Sequence, residues 1–146
     1  MALAVDGRPV LGAVSVPAKD RLFRSDICEL PPAADRPRPL MLVSRTRPPQ
    51  EVAALADHLG AELVPMGSAG AKAMAVVSGE ADLYYHAGGQ HEWDNCAPAA
   101  VALGAGLHAS RVDGSPLLYN NADTIVPDLV IARTELAQRV LDFCQR

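Results

Sequence analysis

Basic charge is not in surplus in this chain. Lysine and arginine together number 13 against 17 aspartates and glutamates, which leaves a net charge of -4 and a pI near 5.5. That balance argues against a surface built to neutralise a nucleic-acid backbone, because phosphate contacts need clustered cations. The one basic concentration, Arg36, Arg38, Arg45 and Arg47, is interleaved with prolines and reads as a solvated loop. Cysteine is scarce as well. Cys28, Cys96 and Cys144 are widely spaced and odd in number, so no disulfide framework is expected and a reducing compartment, the cytoplasm, is. No apolar run has the length of a membrane span, and the N-terminus lacks the basic region, apolar stretch and cleavage site of a secretory leader. No internal repeat or second domain shows, so residues 1–146 are expected to form one domain.

What is present is a well-punctuated apolar pattern, with 49% of the residues hydrophobic. Residues 2–5 and 10–16 are apolar runs flanking Asp6-Gly7, a dipeptide that tolerates a tight turn, and they predict a hairpin. Residues 21–24 add a short strand, and the proline-rich residues 31–39 a connector. The continuous apolar run 40–44 predicts a strand buried on both faces. A helix opened by Pro48 and Pro49 and stopped by Gly60 follows, with Val52, Leu55, Ala56 and Leu59 inward. Residues 62–66 predict the next strand. Ser68 then caps a helix whose Ala71, Met74, Ala75 and Ser78 share a face before Gly79 ends it.

Further on, residues 82–85 predict a strand and Gly88-Gly89-Gln90 a flexible loop. Asp94 opens a helix running through Ala97, Val101 and Ala105, with Pro98 in its first turn. Residues 107–112 and 116–119 about Asp113-Gly114 predict a second hairpin. Residues 128–132 are the last strand, and Thr134 caps a terminal helix with Leu136, Val140 and Phe143 or Cys144 inward. Strands alternating with helices give an α/β class, helices covering a mostly parallel or mixed sheet. The leading hairpin breaks the alternation and is assigned to a different sheet.

Two helix starts carry the chemistry. Gly67-Ser68-Ala69-Gly70-Ala71-Lys72 sits where a strand turns into a helix, so backbone N–H groups, the helix dipole and Ser68 attract an anion. The same residues also fit a plain capped helix with small side chains. The segment is not a Walker A loop, since Ala73 stands where Ser or Thr is needed, nor is it a dinucleotide fingerprint. Asp94 reads either as an N-cap, with Trp93 stapled against Pro98, or as a ligand to a magnesium ion shared with a bound phosphate. Both starts lie at strand ends, where α/β sheets bind ligands. A zinc site from His86, His91 and Cys96 has no standard spacing and no fourth ligand. No serine is arranged with a histidine and an acid for hydrolase chemistry.

At these residues the chain resembles the magnesium-dependent, lithium-sensitive phosphatases that include inositol monophosphatases and 3'(2'),5'-bisphosphate nucleotidases. The residues that carry the resemblance are the Gly67 to Lys72 segment, His86-Ala87-Gly88-Gly89-Gln90, Glu92-Trp93-Asp94, Gly106-Leu107-His108-Ala109-Ser110-Arg111 and Asp113-Gly114-Ser115-Pro116-Leu117. They look most like the actinobacterial CysQ type. The resemblance implies the C-terminal part of a layered α/β/α/β/α sugar-phosphatase fold, with residues 1–30 from the first sheet and 40–146 as the C-terminal α/β part. It implies Asp94 as a ligand of Mg2+, and Gly67, Ser68, Lys72, Ser44 and Arg45 beside the substrate, with Gln90 and Glu92 as neighbours. The implied partner is a small phosphorylated nucleotide, with neither nucleic acid nor membrane involved. The implied reaction removes the 3'-phosphate of 3'-phosphoadenosine 5'-phosphate, or of its sulfated form, in sulfur assimilation. An inositol phosphate is the alternative substrate, and a non-catalytic remnant the alternative role.

Family members also carry an upstream metal-binding glutamate and an Asp-Pro-Leu-Asp-Gly-Thr loop. Neither is among these 146 residues. The chain alone is therefore expected to be inactive, and its hairpin sheet to expose apolar surface and promote self-association.

Overall fold

In the computed structural model, which describes residues 1–46 and 48–145, the chain opens with an antiparallel meander. β1 (Ala2–Val5) and β2 (Arg8–Val16) are joined by Asp6 and Gly7, at φ 49° and 75°, the backbone that a two-residue hairpin turn requires. A 3-10 turn, Pro17–Lys19, leads to β3 (Arg21–Arg24) on the other side of β2. Residues 31–39 have no helix or strand, as their prolines dictate. The basic residues of this stretch do more than meet solvent. Arg36 donates to the Asp82 carboxylate at 2.8 Å and to the carbonyls of Gly79 and Glu80, and Arg38 donates to those of Gly60 and Ala61, so both pin the connector to the body. Arg47 lies outside the described residues.

The alternating part follows as β4 (Leu40–Ser44), α1 (Val52–Leu59), β5 (Glu62–Met66), α2 (Ala69–Val77), β6 (Leu83–His91), α3 (Glu92–Gly104), β7 (His108–Ser110), β8 (Ile125–Ala132) and α4 (Thr134–Cys144). The five strands lie in the order β5-β4-β6-β8-β7. β4 runs parallel to β5 and β6, and β8 antiparallel to β6 and β7, so the sheet is mixed. Strand alternation sends Leu42, Tyr84, Leu129 and Ile131 to one face, against α2 and α3. Met41, Val43, Leu83, Tyr85 and Val130 go to the other, against α1 and α4.

The meander packs on the far side of α2 and α3 through Val14, Val16 and Phe23. The described residues thus form four layers: meander, α2 with α3, five-stranded sheet, α1 with α4. Among them no helix covers the outer face of the meander, where Leu3, Leu11 and Leu22 are 50%, 48% and 65% exposed. None of the described helices is long and apolar enough to cross a membrane. All three cysteines are free.

Several local expectations are corrected. α2 buries every position from Lys72 to Val77 instead of one face, because it lies between two sheets. The Gly88-Gly89-Gln90 segment is part of β6, interrupted by a bulge: the β8 register breaks between Ala87 and Gln90, and Gly88 and Gly89 take φ 109° and 84°. No second hairpin forms. The turn at Asp113-Gly114 is present, closed by Arg111 N–H to the Ser115 carbonyl, but β7 pairs with β8 and residues 116–119 form no strand. α1 begins at Val52, after both prolines, and stops at Gly60 in the left-handed region as expected. In α4 the N-cap is Arg133, with Thr134 already helical; Val140 is buried, while Leu136, Phe143 and Cys144 are only partly so.

Candidate functional site

The C-terminal ends of β4 and β5, the bulged half of β6 and the first turns of α2 and α3 enclose a cleft of about 600 Å³. Every residue singled out in the sequence for the site lines it: Ser44, Arg45, Gly67, Ser68, Lys72 and Asp94. Parallel β4 and β5 bring Ser44-Arg45 beside Met66-Gly67, where the Arg45 N–H reaches the Met66 carbonyl at 3.3 Å. A Cβ on Gly67 would stand 3.4 Å from the Arg45 guanidinium, in ordinary van der Waals contact, which shows how closely the two turns approach.

Ser68 caps α2 as expected, its hydroxyl accepting from the Ala71 N–H at 3.2 Å. It does so at φ 62° and ψ 123°, a strained backbone for a residue with a Cβ, of the kind that concentrates at binding sites. Lys72 explains how the strain is held. Its side chain is buried, and its Nζ donates to the carbonyls of Met66 at 3.3 Å and Ser68 at 3.2 Å, which closes the turn from beneath. The ammonium also lies 4.9 Å from the centre of the Tyr84 ring. No carboxylate among the described residues forms an ion pair with it. Burial, with a smaller contribution from Arg45, draws its pKa below the ordinary lysine value. A buried cation without a counter-ion beside a second cation and a helix N-terminus is a preorganised seat for an anion.

The opposite side of the cleft belongs to α3. The helix begins at Glu92 with His91 as N-cap, because the Glu92 N–H is taken by the Thr124 carbonyl at 2.9 Å. Asp94 is therefore not the N-cap; it sits within the first turn, exposed and facing the cleft. Pro98 falls in the helix interior, not its first turn, and removes the N–H that would bond the Asp94 carbonyl. Trp93 forms no staple: it is 68% exposed and stacks on His91 at 4.3 Å between ring centroids.

Glu92 turns away from the cleft, its carboxylate accepting from the backbone amides of Asn120 at 2.7 Å and Asn121 at 3.0 Å. Burial pushes its pKa up, but those amides outweigh it and hold the group below the usual glutamate value. Residues left out of the sequence-based site are Thr46, His86, Gly88, Gly89 and His91, all of them cleft-lining, as is Gln90. Thr46 follows β4, and the other five lie on β6 at or beside the bulge, where a Gly-Gly composition reads as loop.

Among the described residues no group of three or more histidine, cysteine, aspartate or glutamate side chains gathers to hold a metal. Asp94 is a hard oxygen donor opposite an anion seat, which fits one corner of a magnesium site that borrows phosphate and water oxygens. The histidines and Cys96 form no zinc cluster.

Comparison with known proteins places this geometry. The model of the inositol monophosphatase family matches residues 1–143. Over 141 residues the chain is 48% identical to the 3'-phosphoadenosine 5'-phosphate phosphatase of Mycobacterium leprae, an alignment covering 93% of this chain and 52% of that protein. It is 26% identical over 136 residues to the 3'(2'),5'-bisphosphate nucleotidase CysQ of Escherichia coli K12, covering 86% of this chain and 55% of the relative. The crystal structure of CysQ from Bacteroides thetaiotaomicron superposes with a TM-score of 0.79 at 25% identity, over 90% of this chain and 60% of that one. Inositol monophosphatase II from Staphylococcus aureus shares the fold at a TM-score of 0.76 and 16% identity. The chain thus spans about half the length of the curated relatives it matches.

Proposed function

This chain belongs to the inositol monophosphatase family, and on that premise we propose that it forms one wall of a magnesium-dependent phosphomonoesterase site acting on 3'-phosphoadenosine 5'-phosphate or its sulfated form. The observation that carries the reading is the buried, counter-ion-free Lys72 under the Ser68 turn, with Arg45 beside it and the Asp94 carboxylate across the same cleft. The ligand that satisfies both sides carries anionic oxygens and brings a divalent cation.

In this reading Ser68, the amides opening α2, Lys72 and Arg45 bind a phosphate of the nucleotide and orient it. Asp94 would hold magnesium, which when bound would supply Lewis-acid polarisation and charge neutralisation at the phosphoryl group. The name of the 48%-identical relative favours the nucleotide over inositol phosphates. Three free cysteines suit the cytoplasm, where sulfate assimilation generates such a nucleotide. The remaining carboxylates of the site are not among the described residues, so the isolated chain binds and does not turn over.

Calorimetric titration of the chain in magnesium chloride is expected to give 3'-phosphoadenosine 5'-phosphate an affinity at least about tenfold above that of inositol 1-phosphate, the step that one charge-assisted contact supplies. Equal affinities would shift the reading to inositol phosphates, and binding of neither would leave a non-catalytic remnant.

The bare outer face of the meander supports a second proposal, self-association in the isolated chain. Sedimentation velocity is expected to show concentration-dependent dimers or larger species, which Leu11→Lys together with Leu22→Lys shifts toward monomer. A parent chain that sediments as a monomer at every concentration removes this proposal.

A further inference from the structure

The cleft's two sides are joined by a partly buried polar tether. Gln90 lies just past the β6 bulge and uses both ends of its side-chain amide. Its Nε2 donates to the Tyr84 hydroxyl, and its Oε1 accepts from Asn95 Nδ2 at 3.4 Å. Tyr84 and Asn95 are both 0% exposed. The Tyr84 ring is the one that lies beneath the Lys72 ammonium, so the chain of contacts runs from the floor of the anion seat through Gln90 to the first turn of α3. Asn95 is the inward neighbour of Asp94 on that turn, and a carboxamide buried with its Oδ1 unpaired is retained at a cost.

The segment being tied is held by β8 on both sides of the bulge but not at the bulge itself. Gly88 and Gly89 are out of register with β8 and lack side chains, and at the bulge His86 Nε2 meets the Gly89 carbonyl at 3.2 Å. Beyond the bulge, Pro98 deprives the Asp94 carbonyl of its helical donor, which weakens the turn that presents the carboxylate.

We infer that Tyr84, Gln90 and Asn95 are positioning residues, a partly buried tether that sets the Gly88-Gly89 bulge and the Asp94 turn at a fixed spacing from the Ser68–Lys72 anion seat. The inference rests on the proposed phosphatase reading for what is being spaced, and Gln90 is on this account a brace and not a substrate ligand. Its functional consequence is coupling: a cation held at Asp94 and an anion held at Ser68 strengthen each other only while the tether keeps the two sides in register.

The test uses the 146-residue chain, with magnesium chloride and 3'-phosphoadenosine 5'-phosphate as probes. Gln90→Met keeps length and volume but cannot bond either partner. Amide hydrogen exchange is expected to rise about tenfold in residues 88–95 while α2 exchanges as in the parent. The affinity gain that magnesium gives the nucleotide is expected to fall at least about fivefold, with the magnesium-free affinity within about twofold of the parent. Tyr84→Phe, which keeps the ring under Lys72 and removes only the hydroxyl, is expected to move both readouts the same way. Gln90→Glu, whose carboxylate accepts from Asn95 and from the Tyr84 hydroxyl, is expected to restore exchange protection.

Unchanged exchange in residues 88–95 with magnesium coupling retained would overturn the inference. So would a uniform rise across α2 and both sheets, which marks general destabilisation. A local rise in a chain whose parent binds no nucleotide would strike the phosphatase reading and leave the tether standing.

Discussion

Gly12→Ala is expected to melt several degrees below the parent chain, because β2 and α3 touch at that residue. An added Cβ would stand 2.6 Å from the Ala97 carbonyl oxygen and 2.7 Å from the Ala100 Cβ, both closer than atoms pack. The first clash is with backbone, so no rotamer change relieves it and the meander and helix must separate. The opposing effect, the entropy saved by removing a glycine from a strand, is about 0.5–1 kcal/mol. Overpacking costs about 1–3 kcal/mol, and a backbone clash belongs at the upper end. The net loss is about 2 kcal/mol, or roughly 4–8 °C in Tm for a chain of this size.

Gly104→Ala tests the same interface at the other end of α3, where the new Cβ would lie 2.2 Å from the Ser25 carbonyl oxygen. Gly70→Ala is the control, since its nearest neighbour is Val14 at 3.6 Å and the site is helical. Thermal unfolding followed by circular dichroism reads all three. A Gly12→Ala chain that melts with the parent would mean the meander is not docked on α3 as described.

Asp94→Asn is expected to cost on the order of 10³ in kcat once the site is complete. The upstream half of the Mycobacterium leprae relative, joined ahead of this chain, is proposed to supply the remaining carboxylates of the site, and 48% identity over the shared part makes the graft conservative. The parent chimera is expected to release phosphate from 3'-phosphoadenosine 5'-phosphate in magnesium. The variant keeps the size of the side chain and removes the charge proposed to hold the cation. Asp94 is exposed in the first turn of α3, so the loss of a favourable dipole contact costs at most about 1 kcal/mol and the fold survives. Lost turnover with an unchanged melt separates a lost ligand from a lost fold. A variant within tenfold of the parent would remove Asp94 from the metal site, and an inactive parent chimera would remove the phosphatase reading.

How much of this was legible differs from element to element. The Asp6-Gly7 hairpin, the 40–44 strand and the Ser68 cap follow from local chemistry: two residues that accept positive φ, an unbroken apolar run, a hydroxyl placed to accept a free N–H. Each is decided within a few residues. The start of α3, by contrast, was placed at Asp94 because aspartate caps well. It moved to Glu92 because the Thr124 carbonyl, more than thirty residues away, takes the Glu92 N–H. The Gly88-Gly89-Gln90 segment carried the composition of a loop, yet pairing with β8 on both sides of the bulge makes it strand. β7 chose β8 over the segment after Asp113-Gly114, whose Pro116 offers no donor.

The family, its α/β class and six of the residues lining the cleft, Ser44, Arg45, Gly67, Ser68, Lys72 and Asp94, are legible in the sequence itself, since motif identity and strand-to-helix punctuation are local properties. The sequence also names Asp94, Ser68 and Lys72 one by one. Tertiary structure alone decided what they do together. Burial between two sheets made Lys72, a candidate ligand, also a buried cation bracing the Ser68 turn, and the bulge in β6 brought Gln90, Tyr84 and Asn95 into contact across it. Those outcomes depend on desolvation and on distances between elements far apart in the chain, which no stretch of residues encodes alone.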